Sequence, residues 1–135
     1  MLFLDTNIVL RFLTRDLPEQ ADRCRDLLIR VDAGEIQVTT SESVIAQIVY
    51  VLSSRRAYAL PRVRIKELLE PILHLRGLKL ERRDTYLRAL DLYAAHTIDF
   101  EDAMAVAHME RLGITDILSY DHHFDGLPGI SRVEP

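Results

Sequence analysis

Three aspartates stand where a chain of this pattern could form a catalytic or metal-binding site. Asp5 and Asp121 each come directly after a short apolar run that is typical of a buried strand. Asp102 lies in the first turn of an expected helix, for which Asp99 is placed as the N-cap. In a parallel α/β sheet, ligands bind outside the carboxyl ends of the strands, so these acids are expected at one edge.

If the three carboxylates lie close together, they would favour the binding of a hard cation. Like charges in a cleft repel each other unless a positive ion offsets them, and oxygen-only ligand sets suit Mg²⁺ or Mn²⁺. Such a metal lowers the pKa of a bound water and stabilises charge on a phosphate during in-line displacement. The pattern therefore makes phosphoryl chemistry a candidate activity.

Each acid also has a purely structural interpretation. Asp5 and Asp99 could be helix N-caps, and Asp102 gains from the helix dipole whether or not it binds a metal. Asp121 could open a turn with the two histidines that follow it. Spacing alone leaves both interpretations open.

The elements that must position these acids alternate along the chain. Short apolar strands are expected at residues 2–4, 36–39, 77–80 and 116–120, with one more within 126–135. Helices are expected over residues 7–13, 18–34, from the segment 39–42 through Ser54, over 61–73, after Asp84, and from Asp99 to Gly113. Residues 39–42, Thr-Thr-Ser-Glu, have the spacing of a capping box. This alternation predicts an α/β fold with a mostly parallel sheet covered by helices on both faces.

Composition fits a single domain over residues 1–135. The chain is 48% hydrophobic and contains only five Gly and five Pro, so it can form a core. A net charge of −4 argues against a globally basic nucleic-acid binder. The single cysteine, Cys24, fits a reducing compartment. No apolar run approaches the roughly 20 residues of a membrane span and no signal peptide is evident, so a cytoplasmic location and no membrane contact are expected.

Three motifs, taken in order, resemble those of PIN-domain nucleases and in particular VapC-type toxins. The opening D-T-N, the helix motif D-x-x-D-A and the late motif T/S-x-D-x-x-F match Asp5-Thr6-Asn7, Asp99-Phe100-Glu101-Asp102-Ala103 and Ser119-Tyr120-Asp121-His122-His123-Phe124. The resemblance extends over essentially the whole chain. It implies a single PIN-like domain with a five-stranded, mostly parallel sheet flanked by helices.

The same resemblance implies an activity and partners. Asp5, Asp102 and Asp121 would bind Mg²⁺ or Mn²⁺ in an endoribonuclease that cleaves RNA, with Thr6, Asn7 and Asp99 in supporting positions. Proteins of this kind act as the toxin of a type II toxin–antitoxin pair, so a cognate antitoxin and a homodimer are also implied.

One position departs from the family pattern. The family carries a Glu in the middle of the helix after its second strand, and Gln47 stands there in this chain. An amide oxygen can ligate a hard cation or orient its water, but it brings no charge and cannot act as a base. Glu42 lies five residues earlier, about 140° around the helix, so it does not replace that acid.

Two hypotheses from different classes follow. In the first, the chain is a metal-dependent endoribonuclease with Asp5, Asp102, Asp121 and Gln47 in its catalytic site. In the second, Gln47 marks a catalytically weakened PIN-like module that binds RNA or another protein. A phosphatase with an aspartate after its first strand fits poorly, because the D-x-D pattern of that class would need an acid in place of Asn7.

The remaining polar residues are assigned no catalytic role. His122 and His123 are adjacent, so they cannot both face one site on a regular helix or strand. Several arginines could hold RNA phosphates or lie on solvated helix faces, namely Arg11, Arg15, Arg55 and Arg56.

Overall fold

A computed structural model describes residues 1–135. It contains six α-helices and four short β-strands, and it divides into two compact units, Met1–Glu81 and Arg82–Pro135. None of its helices combines the length and apolar character needed to cross a membrane. The single domain over residues 1–135 stays a prediction.

The first unit alternates strands and helices as expected. Its elements are β1 (Leu2–Phe3), α1 (Thr6–Thr14), α2 (Pro18–Asp32), β2 (Val38–Thr39), α3 (Glu42–Ser53) and α4 (Arg62–Leu73). Helix α1 packs against α2 and α3, and α3 packs against α4. Apolar side chains, most of them at helical spacing, meet in this core, where the largest fully buried ones are Val9, Val31, Val38, Ile45, Ile48, Leu52, Ile65, Leu69, Leu73 and Leu78.

Local signals fix most helix starts in this unit. Pro18 occupies the start of α2 and Pro61 is the residue before α4, as expected. The capping box over residues 39–42 is wrong, because the N-cap of α3 is Ser41, whose Oγ accepts from the Val44 N–H at 3.3 Å. Thr39 is part of β2 instead, so the strand extends into the residues that matched the box.

The second unit contains two helices that pack on each other and a two-stranded sheet. Its elements are α5 (Arg83–Ala95), α6 (Phe100–Leu112), β3 (Asp116–Leu118), a 3₁₀ helix (His122–Phe124) and β4 (Ser131–Val133). Helices α5 and α6 contact each other along their length, and the rings of Tyr93 and Phe100 meet edge to face at 6.3 Å. Asp84 is not the cap expected from its position; it lies in the first turn of α5, which begins after Arg82.

The expected five-stranded sheet is wrong, although every observed pairing is parallel. β1 pairs with β2, and β3 pairs with β4, which gives two separate two-stranded sheets. The strand expected over residues 77–80 reduces to one bridge between Leu78 and Val38. The Lys79 N–H and the Gly77 carbonyl both bond to Val38 in this bridge, whereas the Gly77 N–H bonds to the Val31 carbonyl and the Leu78 N–H bonds to the Leu75 carbonyl.

Gly77→Ala should destabilise the protein strongly. Gly77 is buried, and a Cβ built there would collide with the backbone carbonyls of Ile36 and Val31. Rigid backbone cannot yield as a flexible side chain can, so we expect a loss of about 3 kcal/mol or more in unfolding free energy. Chemical denaturation measures it.

Gly34→Ala is the matched control for this substitution. Gly34 has a positive φ of 79° but no atom closer than 3.8 Å to the added Cβ, so only backbone strain of about 1 kcal/mol is expected. Equal losses for the two variants would contradict the steric explanation.

Candidate active site

Asp5 lies at the carboxyl end of β1 and caps α1. Its Oδ2 accepts a hydrogen bond from the Asn7 N–H at 3.4 Å, which satisfies one of the free donors at the helix start. The residue is exposed, and its other carboxylate oxygen accepts no hydrogen bond within the protein. Capping therefore leaves this carboxylate able to bind a ligand, and both interpretations made from the sequence are compatible.

Thr6 joins the end of β1 to the middle of α3. Its side chain is buried, with only 4% of the residue exposed, and its hydroxyl donates to Gln47 Oε1 at 3.0 Å. This contact spans 41 positions of the chain and places Gln47 beside the residue that follows Asp5. The Gln47 amide nitrogen forms no hydrogen bond, so its two N–H donors are available to a ligand.

Three acids of the second unit interact electrostatically around the start of α6. Asp99 is the N-cap, as expected, and its Oδ1 accepts from the Asp102 N–H at 2.8 Å. Burial raises the pKa of Asp102, and the negative charges of Asp99 and Asp121 raise it further. The carboxylates thus repel one another in the absence of a cation.

Asp121 is held by the turn that it opens. Its Oδ1 accepts from the His123 N–H at 2.9 Å, and this hydrogen bond is the main cause of the lowered pKa of Asp121. His123 Nδ1 also lies 2.8 Å from the same oxygen. The predicted turn is confirmed.

The two adjacent histidines have different partners. His122 Nδ1 lies 2.9 Å from Asp125 Oδ2 and 3.0 Å from an Arg132 guanidinium nitrogen, whereas His123 contacts Asp121. Neither histidine is expected from the sequence to have a catalytic role, but His123 contacts a candidate metal ligand. The sequence feature that could have indicated this contact is the position of His123, two residues after an aspartate that is expected to open a turn.

The donor chemistry fits a hard cation, while the full ligand set is not assembled within either unit. Neither unit by itself contains three His, Cys, Asp or Glu side chains grouped closely enough to hold a metal ion. Asp5 belongs to the first unit, and Asp102 and Asp121 belong to the second. Carboxylate oxygens are ligands that Mg²⁺ and Mn²⁺ prefer, and the charges of Asp99 and Asp121 add to burial in raising the pKa of Asp102.

The chain is similar to known proteins over nearly its whole length. Residues 2–130 match the family model described as the PIN domain. A VapC ribonuclease from Mycobacterium bovis and ribonuclease VapC13 from Mycobacterium tuberculosis are each 31% identical to it over 137 residues. Each alignment covers 98% of this chain and 99% of the relative. The matched segment includes Asp5, Asp102 and Asp121.

Proposed function

The chain belongs to the PIN domain family, and from this premise we propose that it is a metal-dependent endoribonuclease that hydrolyses RNA phosphodiester bonds. The single observation that supports the metal dependence is the grouping of Asp102 with Asp99, which accepts its N–H at 2.8 Å, and with Asp121, whose negative charges both act against the ionised form of Asp102. A divalent cation would offset this repulsion. The two VapC relatives, which are named as ribonucleases, support RNA as the substrate.

Asp5, Asp102 and Asp121 are the residues that would hold Mg²⁺ or Mn²⁺. When bound, the cation would activate a water and stabilise the charge that develops on the phosphate and the leaving oxygen. Asp99 positions Asp102 by accepting its backbone N–H, and His123 positions the Asp121 carboxylate through two contacts to Oδ1.

Gln47 would act differently from the three aspartates, as a hydrogen-bond donor and not as a metal ligand. Thr6 already donates to its carbonyl oxygen, which leaves the amide N–H donors to orient a water or a phosphate oxygen. Since an amide has no basic site, Gln47 positions its partner and takes no proton. Asn7 has a supporting role, because its backbone N–H donates to the Asp5 carboxylate and so orients that proposed metal ligand.

The biological setting proposed here is the one that the resemblance to VapC-type toxins implies. The chain would be the toxin of a type II toxin–antitoxin pair, bound by a cognate antitoxin, acting as a homodimer in the cytoplasm. Co-expression with the product of a neighbouring gene, followed by co-purification, tests the antitoxin partner directly.

A second candidate function rests on Gln47. With an amide where the family has a carboxylate, the chain would bind RNA or a protein partner through a PIN-like fold with little or no catalysis. A chain that binds RNA but does not cut it would favour this alternative.

Cleavage of a mixed, structured RNA pool by the purified protein tests the proposal. We expect cleavage with Mg²⁺ or Mn²⁺ and none in EDTA or with the Asp5→Asn variant, because both controls remove part of the proposed site. Asn is a good N-cap, so the variant keeps the start of α1. Cleavage that persists in EDTA would contradict metal dependence.

Mg²⁺ should also stabilise the folded protein. A ligand that binds only the folded state raises its stability, and at ten times the dissociation constant we expect Tm to rise by about 5 °C. Differential scanning fluorimetry measures the shift. Asp5→Asn should lose most of it, and an unchanged Tm of the natural chain at saturating Mg²⁺ would count against the site.

A further inference from the structure

A cleft with a mainly apolar wall and two arginines in its lining lies between α1 and α2 in the first unit. Its volume is about 310 Å³, at the lower end of the roughly 300–1,000 Å³ typical of ligand pockets. The cleft is lined by Asn7, Ile8, Arg11, Gln20, Arg23 and Cys24. The two arginines come from different helices, so the packing of α1 on α2 brings both positive charges to one cleft.

These two arginines differ from the others on the same helices in having no carboxylate partner. Arg15 pairs with Asp22 at 2.7 Å, and Arg30 pairs with Glu35 at 3.2 Å. Arg11 and Arg23 form no ion pair, and Arg23 forms no hydrogen bond either. Burial raises the pKa of Cys24, so its thiol stays neutral and brings no negative charge to the cleft.

Arg11 is oriented by a neighbour while its terminal nitrogens remain available. Its Nε donates to Gln20 Oε1 at 2.9 Å, which restrains the guanidinium and leaves both terminal NH₂ groups without a partner. A guanidinium presents these donors as a planar fork that matches two oxygens of a phosphate. The cleft therefore has the charge and the donors of an anion site.

The position of the cleft relates it to Asp5. Asn7 forms one end of its lining, and the Asn7 N–H donates to the Asp5 carboxylate. Asn7 and Arg11 are four residues apart on α1 and so lie on one face of the helix. An RNA strand that binds at Asp5 would therefore find the Arg11 guanidinium about one turn of α1 away.

We propose that Arg11 and Arg23 form a subsite for a backbone phosphate of the RNA strand, next to the phosphate that is cleaved. This inference rests on the proposed endoribonuclease function and adds to it where the substrate backbone is held. The contacts to a phosphate carry no sequence information, so the subsite sets the register and affinity of the strand.

Binding of a labelled single-stranded RNA oligonucleotide in EDTA tests the subsite with cleavage blocked. Fluorescence anisotropy over a series of KCl concentrations gives both the affinity and the slope of log K against log salt. Arg11→Gln and Arg23→Gln should each weaken binding about fivefold and flatten the slope by about 0.7, the value for one phosphate contact on a single strand. Since Arg23 is exposed and forms no hydrogen bond or ion pair within the protein, its variant should fold as the natural chain does.

Arg25→Gln is the matched control. Arg25 lies on the same helix, about 200° around its axis from Arg23, and its loss removes the same charge. We expect its slope to equal that of the natural chain. If Arg11→Gln and Arg23→Gln behave as Arg25→Gln does while the natural chain cleaves RNA with Mg²⁺, the subsite is overturned and the proposed function stands. If the natural chain neither binds nor cleaves RNA, both are overturned.

Discussion

Asp102→Asn should reduce RNA cleavage by roughly a thousandfold or more without lowering the stability of the metal-free protein. The substitution removes a proposed metal-binding carboxylate but keeps the size of the side chain and the backbone N–H that Asp99 accepts. Because activity and stability are expected to respond differently, the result would separate a functional acid from a structural one. Initial cleavage rates and Tm in EDTA are the two measurements.

The stability expectation follows from the direction of the pKa shift. Burial and the charges of Asp99 and Asp121 raise the pKa of Asp102, so folding disfavours its ionised form. The unfolded chain therefore loses this proton at a lower pH than the folded protein does, so the cost to stability grows as the pH rises from the unfolded-state pKa to the folded-state pKa and is complete above it. A neutral Asn removes that cost at neutral pH. The difference in Tm between the variant and the natural chain should vanish at acid pH, where Asp102 is protonated in both states.

Asp99→Asn is the matched control for Asp102→Asn. It removes one negative charge three residues away, and Asn replaces Asp well as an N-cap, so α6 should keep its start. We expect cleavage to fall less than about tenfold, since Asp99 acts through Asp102. Equal losses in the two variants would contradict the assignment of Asp102 as the metal ligand and Asp99 as its positioning residue.

Features that depend on neighbouring residues could be predicted from the sequence. Asp99 caps α6 and Pro18 starts α2, because each effect involves only the first turn of a helix. Asp121 opens a turn for the same reason. The capping box failed because Thr39 pairs with β1, and a distant strand decides that pairing.

Features that depend on distant residues could not be predicted from spacing. The third expected strand is only one bridge long, because its hydrogen bonds to β2 are limited to those that Gly77 and Lys79 form with Val38. The contact between Thr6 and Gln47 joins positions 41 residues apart, and only the family resemblance singled out Gln47. The assignment of Asp5, Asp102 and Asp121 to one metal site still rests on that resemblance and stays a prediction.

Gln47→Glu should increase cleavage about tenfold or more at limiting Mg²⁺. The substitution adds a charged oxygen ligand at the position where the family has one, and a tenfold gain corresponds to about 1.4 kcal/mol. Glu has nearly the same shape as Gln, and the Thr6 hydroxyl that donates to Gln47 at 3.0 Å can donate equally well to a carboxylate. The new side chain should therefore occupy the same place.

Cleavage rates across a Mg²⁺ titration measure this gain, which should come with half-maximal activity at a lower Mg²⁺ concentration. Gln37→Glu is the matched control, since it makes the same chemical change at an exposed residue of the same unit, just before β2. It should leave the Mg²⁺ dependence unchanged, because a charge at the surface far from the ligands is screened. A natural chain that cleaves RNA as fast as its Gln47→Glu variant would show that the amide suffices and that a fourth carboxylate is dispensable. A variant that cleaves where the natural chain does not would instead establish that the single change from Glu to Gln disables the site, as the binding-module alternative requires.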